Sequence, residues 1–195
     1  EMDQRFPGSR ERSVFASVAL SLHRLSPEHQ SRVRALGVFH GSVDLDVLAQ
    51  MMEWDKANAA ALAAELVRTG LATPNPYDHL SLNPALCPYL HAQLEAAEHA
   101  ALTARWAAAM LAYVAFLDQQ KGQNAELAAI LTGLELANLF ALLCWTEQAG
   151  DAEATIDLST KLYGLLQRLG RSRLLTRLAQ VRDAATAALG EGWSR

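Results

Sequence analysis

The strand signal in this chain is confined to one short window. Residues 71–82 read LATPNPYDHLSL. Short alternating segments flank a Pro-Asn-Pro turn, which is the pattern of two short strands. From Pro84 onward no strand signal remains. Alanine and leucine dominate the composition and β-branched residues are few, which biases the backbone towards helix. The expected fold class is therefore mainly α with a small β-hairpin.

Helix signals surround the window. SVFASVALSLHRL (13–25) places Val14, Val18, Leu22 and Leu25 on one stripe. Ser26-Pro27 marks a second helix start, with Ser26 as N-cap and Pro27 at the first helical position. Gly37 suits its end. A short apolar segment and a turn follow, then a third helix from about Asp44 with Val47, Leu48, Met51 and Met52 buried. Asp55 caps a fourth helix that carries Leu62, Leu66 and Val67 and stops at Gly70. Short helices followed by a hairpin form the layout of a winged helix.

Beyond Pro84 the pattern is helical throughout. Residues 89–120 form a long periodic stretch closed by Gly122. Residues 124–150 give one or two helices, with Gly133 as the candidate break. Gly150, Gly170 and Gly190 then punctuate two helices at an even spacing. Two helices in roughly 40 residues suit an α-solenoid unit, although Gly-stopped helical hairpins give the same spacing. So few units suggest part of a longer array. The start, EMDQRFPG, likewise suggests a piece of a longer protein.

Charge and cysteines narrow the function classes. The net charge of −4 is evenly spread, with 8 basic and 11 acidic groups in residues 1–95 and 9 and 10 in residues 96–195. No half is basic, which argues against a protein held mainly by phosphate contacts to nucleic acid. Cys87 and Cys144 sit in apolar helical patterns and read as buried free thiols. Two cysteines make no disulfide framework, which favours a reducing cytoplasm. The longest uncharged apolar run, WAAAMLAYVAFL (106–117), falls short of the ~20 residues of a membrane span.

Residues 12–90 resemble the winged-helix part of STAND signal-transduction ATPases of the NB-ARC type, including bacterial regulators of the AfsR and MalT kind. The stretches that carry the likeness are SVFASVALSLHRLSPEHQSRVRALGVFHGSVDLDVLAQM, LAAELVRTGLA and HLSLNPALCPYL. Residues 99–182 resemble the opening of the tetratricopeptide-like superhelix that follows in those regulators, through HAALTARWAAAMLAYVAFLDQQ and LELANLFALLCWTEQAGDAEATIDLSTKLYGLLQRLGR. The individual motifs are degenerate, and the weight lies in their succession. The resemblance implies a winged-helix domain over 10–92 and a helical, tetratricopeptide-like (TPR-like) region over 93–190. No G-x-x-x-x-G-K-[ST] phosphate loop is present, so the nucleotide-binding core would precede Glu1. ATP or ADP is implied for the full-length protein and no cofactor for this segment. The implied partners are the protein's own nucleotide-binding domain, a protein or small-molecule signal on the helical region, and further copies on activation.

Asn83 stands where the family usually has a histidine that contacts the β-phosphate of ADP, and is the candidate cofactor-binding residue. Capping offers a simpler role, because Asn is a preferred N-cap and Pro84 would fit the first helical position. His79 is expected in the hairpin turn. Pro88 would loosen the first turn of the following helix. The candidate DNA-reading helix offers only Lys56, Asn58 and Arg68, and the wing TPNPYDHL has no Lys or Arg.

Other clusters read as structural. Arg168, Arg171, Arg173, Arg177 and Arg182 form a solvated basic face. Glu95 and His99 form a surface pair. No zinc-spaced histidine motif or nucleophile elbow is present, so neither a catalytic residue nor a metal ligand is assigned. Trp54, Trp106, Trp145 and Tyr163 fit core positions. Three functions are compatible with these features: a regulatory segment of a signal-transduction NTPase, a helical-repeat binding scaffold, and a winged-helix DNA-binding regulator.

Overall fold

The computed structural model describes residues 7–192, with side chains from 13 to 190. The opening EMDQRF and the Glu191 side chain lie outside the described residues. The fold is mainly α with one small sheet. Two compact units divide the chain, residues 1–109 and 110–195. The boundary falls inside a long helix, whereas the expected junction at 92/93 lies just after a short one.

The first unit opens with α1 (Pro7–Leu22) and α2 (Pro27–Arg32). Ser26 caps α2 by accepting the N–H of His29 at 3.3 Å, and Pro27 occupies the first helical position. The backbone then tightens into a 3₁₀ turn over Val33–Val38 that runs through Gly37. On α1, Val18 is buried as expected, but Val14 is 48% exposed.

The sheet has three strands where the sequence announces two. β1 (Ser42–Asp44), β2 (Ala72–Asn75) and β3 (His79–Leu82) are antiparallel in the order β1-β3-β2. β1 is only three residues long, too short to show an alternating pattern, and all three are buried. Between β1 and β2 lie α3 (Leu45–Met52) and α4 (Lys56–Arg68). Asp44 caps α3, and Asp55 caps α4 through the N–H of Asn58 at 2.7 Å. Leu36, Val43, Leu48, Leu62, Leu66, Leu71 and Leu86 are almost fully buried and make the core of this unit.

His79 does not lie in the hairpin turn. It is the first residue of β3 and is 1% exposed. The turn is made by Pro76, Tyr77 and Asp78, and Tyr77 and Asp78 take positive φ. α5 (Leu86–His91) follows β3. Pro88 lies in its first turn, where N–H groups have no intrahelical acceptor, so no bond is lost there.

α6 (Ala96–Gln123) is the long helix. Its most apolar 18-residue window has a mean hydropathy of 1.5, and 44% of that window is buried. It is long and apolar enough to cross a membrane, although the core helix of a compact protein meets the same two criteria.

In the second unit, Asn124 ends α6 and caps α7 (Ala125–Leu134), accepting the N–H of Leu127 at 3.1 Å. α8 (Leu136–Gln148), α9 (Ala152–Leu166) and α10 (Ser172–Gly192) complete it. The break between α7 and α8 falls at Glu135, not at Gly133, and turns the chain by 75°. Glu135 is fully buried and accepts a 2.5 Å hydrogen bond from Asn138 Nδ2. A buried carboxylate needs donors, and the break supplies one three residues on. α9 packs along α10 and against α7 and α8. Gly150 and Gly170 take positive φ and close α8 and the turn after α9, while Gly190 lies within α10 and stops nothing.

Candidate functional site

Asn83 follows β3 directly and is half-buried. Its N–H donates to the carbonyl of Leu71 at 2.8 Å, and its own carbonyl accepts the N–H of Leu86 at 2.8 Å. Its Oδ1 accepts the N–H of Ala85 at 3.0 Å. This is a side-chain turn reaching two residues ahead. The expected N-cap is therefore displaced. Ala85 occupies the cap position of α5 and makes no side-chain bond, while Asn83 and Pro84 form a turn ahead of the helix. Asn83 holds a junction between strand and helix.

Beside that junction lies a cleft of about 410 Å³. One wall comes from the segment leaving the 3₁₀ turn, with Phe39 and His40. The other comes from Pro84 and α5, with Cys87, Pro88 and His91. Gly37 brings the walls together. A Cβ there would stand 2.9 Å from Leu94 Cδ1, 3.1 Å from the backbone nitrogen of His91 and 3.2 Å from the carbonyl carbon of Leu90. Gly41 takes φ of +84°, a conformation that glycine adopts without strain, and turns the chain into β1.

The cleft gathers histidines. His40 sets its ring edge-to-face on Trp106 at 5.8 Å between centroids. His91 does the same on His99 at 4.5 Å. Partial burial lowers the pKa of His40, and the charge of nearby His91 lowers it further. The Cys87 thiol is pushed up by burial, partly offset by backbone hydrogen bonding at Gly41, so it stays protonated at neutral pH. That fits a buried thiol acting as a small hydrophobe. Trp106 is 2% exposed, and its indole N–H has no acceptor among the described residues. Arg34 lies close by, bonding Glu98 Oε1 at 2.9 Å and Oε2 at 2.5 Å.

No sequence signal joins these histidines. His40 leads into β1, His91 ends α5 and His99 sits in the first turn of α6. His99 was expected to pair with Glu95, but its ring packs on His91 instead. Among the described residues no group of three or more His, Cys, Asp or Glu side chains can hold a metal ion.

The candidate DNA-reading side chains are engaged within the unit. Lys56 pairs with Asp46 at 2.7 Å, and Asn58 Oδ1 accepts from Arg32 Nη1 at 3.0 Å. Arg68 bonds Glu65 through two nitrogens and also donates to the carbonyl of Arg24 at 3.1 Å. In the second unit, Arg177 lies over Phe140 at 5.3 Å and donates to Cys144 Sγ at 3.1 Å. Arg182 lies over Tyr163 at 5.8 Å, while Arg168, Arg171 and Arg173 are exposed. Of the four aromatic residues expected in the core, Trp106 is buried and Trp54, Trp145 and Tyr163 are half-buried.

Compared with known protein families, curated proteins and solved structures, the chain has no match.

Proposed function

We propose that this chain is the regulatory segment of a cytoplasmic signal-transduction NTPase. In this reading residues 10–92 form a winged helix and residues 93–190 a TPR-like helical array. The winged helix carries the nucleotide state of the protein's own nucleotide-binding domain to the array, which receives a protein or small-molecule signal. The chain regulates and does not catalyse, and activation leads to self-association.

The order helix, β1, α3, α4, β2, β3, with the third strand between the other two, suits a winged helix. The observation that carries the functional reading is Asn83. It stands at the exit of β3, where the resemblance puts the nucleotide-sensing residue. Its Oδ1 is committed to Ala85, which leaves the Nδ2 amide as the donor that would meet a phosphate oxygen of ADP. One neutral donor fits a contact and not a whole phosphate site, so the remaining contacts would come from the nucleotide-binding domain. The winged helix as a DNA reader is less well supported, because Lys56, Asn58 and Arg68 already have partners within the unit.

Two measurements test this. The coding sequence ahead of Glu1 should contain a phosphate loop; its absence would sink the NTPase reading. In the full-length protein, Asn83→Ala should shed bound ADP faster than the parent, and Asn83→His should retain it. Equal retention by all three would leave Asn83 with a structural role alone.

A further inference from the structure

The two ends of the α9–α10 hairpin carry opposite charge. At one end, the turn after α9 and the first turn of α10 present Arg168, Arg171 and Arg173, all exposed and without an acidic partner among the described residues. At the other end, Glu147 stands in the last turn of α8, and Asp151 and Glu153 open α9. All three are exposed, and Glu147 and Glu153 have no basic partner among the described residues. α9 is 15 residues long, so about 22 Å separates the two ends, well beyond the ~10 Å range of charge interactions in salt. One copy cannot bring its own ends together.

Both ends also set charge against a helix dipole. Arg173 puts a cation in the first turn of α10, which holds no acidic residue, and Glu147 puts an anion in the last turn of α8, which holds no basic residue. Each placement is unfavourable by itself, because a helix start favours anions and a helix end favours cations. Each becomes favourable once the opposite charge is brought against it from outside, and the two ends supply opposite charges. Beside Glu147 runs a groove of about 190 Å³. Gly150, Ala152, Ala184, Ala185 and Ala188 make most of its lining, so little more than methyl groups projects into it.

We propose that the second unit associates head to tail, with the arginine end of one copy seated on the acidic groove of the next. The aliphatic stem of an arginine lies along the alanine floor, and its guanidinium reaches Glu147. Arg182, on α10 beside the groove, does not reverse the attraction, because it lies over Tyr163 and has Asp183 next to it. Such a contact joins two different surfaces, so each assembly keeps an unused end and grows beyond a dimer. The proposal gives a surface and a polarity to the self-association named above, and it needs no nucleotide-binding domain. A missing phosphate loop would sink the NTPase reading and leave this contact standing, whereas a chain that stays monomeric would sink this contact alone.

Sedimentation velocity tests the proposal. At about 0.1 mM protein and about 50 mM salt the chain should form species larger than a dimer, and about 500 mM salt should return them to monomer. Glu147→Arg and Arg173→Glu should each weaken association about tenfold or more. Neither should lower the melting temperature, since each gives its helix end the charge that the dipole favours. Mixing the two variants should restore one full contact, between the unaltered groove of the Arg173→Glu copy and the unaltered arginine end of the Glu147→Arg copy. The mixture should therefore stop at a dimer of one copy each. A monomeric parent at low salt, a parent that itself stops at a dimer, variants that associate like the parent, or a mixture no more associated than either variant alone would overturn the proposal.

Discussion

Nδ1 of His79 lies 3.5 Å from Oδ2 of Asp44, across the register of β1 and β3. The other oxygen of the same carboxylate accepts the N–H groups of Asp46 at 2.8 Å and Val47 at 3.1 Å. One side chain thus caps α3 and faces a buried imidazole. Asp44→Ala removes the cap together with the carboxylate that faces His79, and should cost more than the roughly 0.5–2 kcal/mol of a lost cap alone. Asp44→Asn keeps an oxygen for the cap and should cost about half as much. Urea unfolding of the three proteins measures the difference. A loss in Asp44→Ala no larger than that of an ordinary cap would show that the imidazole contact contributes nothing.

Gly37 is required by space and not by backbone angle. An alanine methyl there would press on the backbone of α5 at His91 and Leu90 as well as on the flexible tip of Leu94. The backbone cannot yield cheaply, because Leu86 and Leu90 of the same helix are buried. Gly37→Ala should destabilise the first unit by about 1–3 kcal/mol. It should also widen the cleft between Phe39 and Pro88. Thermal unfolding reads the first effect, and faster labelling of Cys87 by a thiol reagent reads the second.

Arg34 and Glu98 tie the 3₁₀ turn to the start of α6. The hydrogen bond from Arg34 is the chief cause that holds the Glu98 carboxyl below its ordinary pKa; the guanidinium charge adds to it, and some burial opposes it. Because the folded pKa is the lower one, the pair stabilises the fold at pH values above the unfolded carboxyl pKa, and that contribution fades as pH falls through the folded value. Glu98→Gln should therefore melt below the parent at neutral pH, and the gap should close under acid. Melting curves from about pH 7 down to about pH 3 test the sign. A gap that is constant with pH would assign the loss to packing instead of charge.

Much of the first unit is legible from sequence because its signals are local. Ser26 and Asp55 each cap the helix that their position announces, since a cap depends only on the next three residues, and Asp44 caps the helix expected to begin near it. Strand β1 escapes because its three residues owe their conformation to pairing with β3, far along the chain. His79 is misplaced for the same reason: its place at the start of β3 follows from pairing with β1, which the turn chemistry around it does not reveal. The α7–α8 break is read at Gly133 because glycine is the usual punctuation, yet the chain bends at Glu135, whose buried carboxylate accepts from the Asn138 amide inside the unit. The cleft is invisible to any motif, because His40 and His91 come from separate segments and line one opening only once α5 folds against the 3₁₀ turn.

Asn83 illustrates how a turn and a ligand contact can be separated. The turn needs only an acceptor at Oδ1 for the N–H of Ala85, whereas a phosphate contact would need the donor at Nδ2. Asn83→Ala removes both and should cost about 0.5–1.5 kcal/mol of stability, as for other local side-chain-to-backbone caps. Asn83→Asp keeps the acceptor, so the isolated chain should unfold within about 0.5 kcal/mol of the parent. The same substitution replaces the donor by a negative charge, which repels phosphate. In the full-length protein, Asn83→Asp should release ADP at least as fast as Asn83→Ala despite its intact fold. If Asn83→Asp instead retains ADP like the parent while Asn83→Ala loses both stability and ADP, the turn alone accounts for nucleotide retention and Asn83 makes no contact with phosphate.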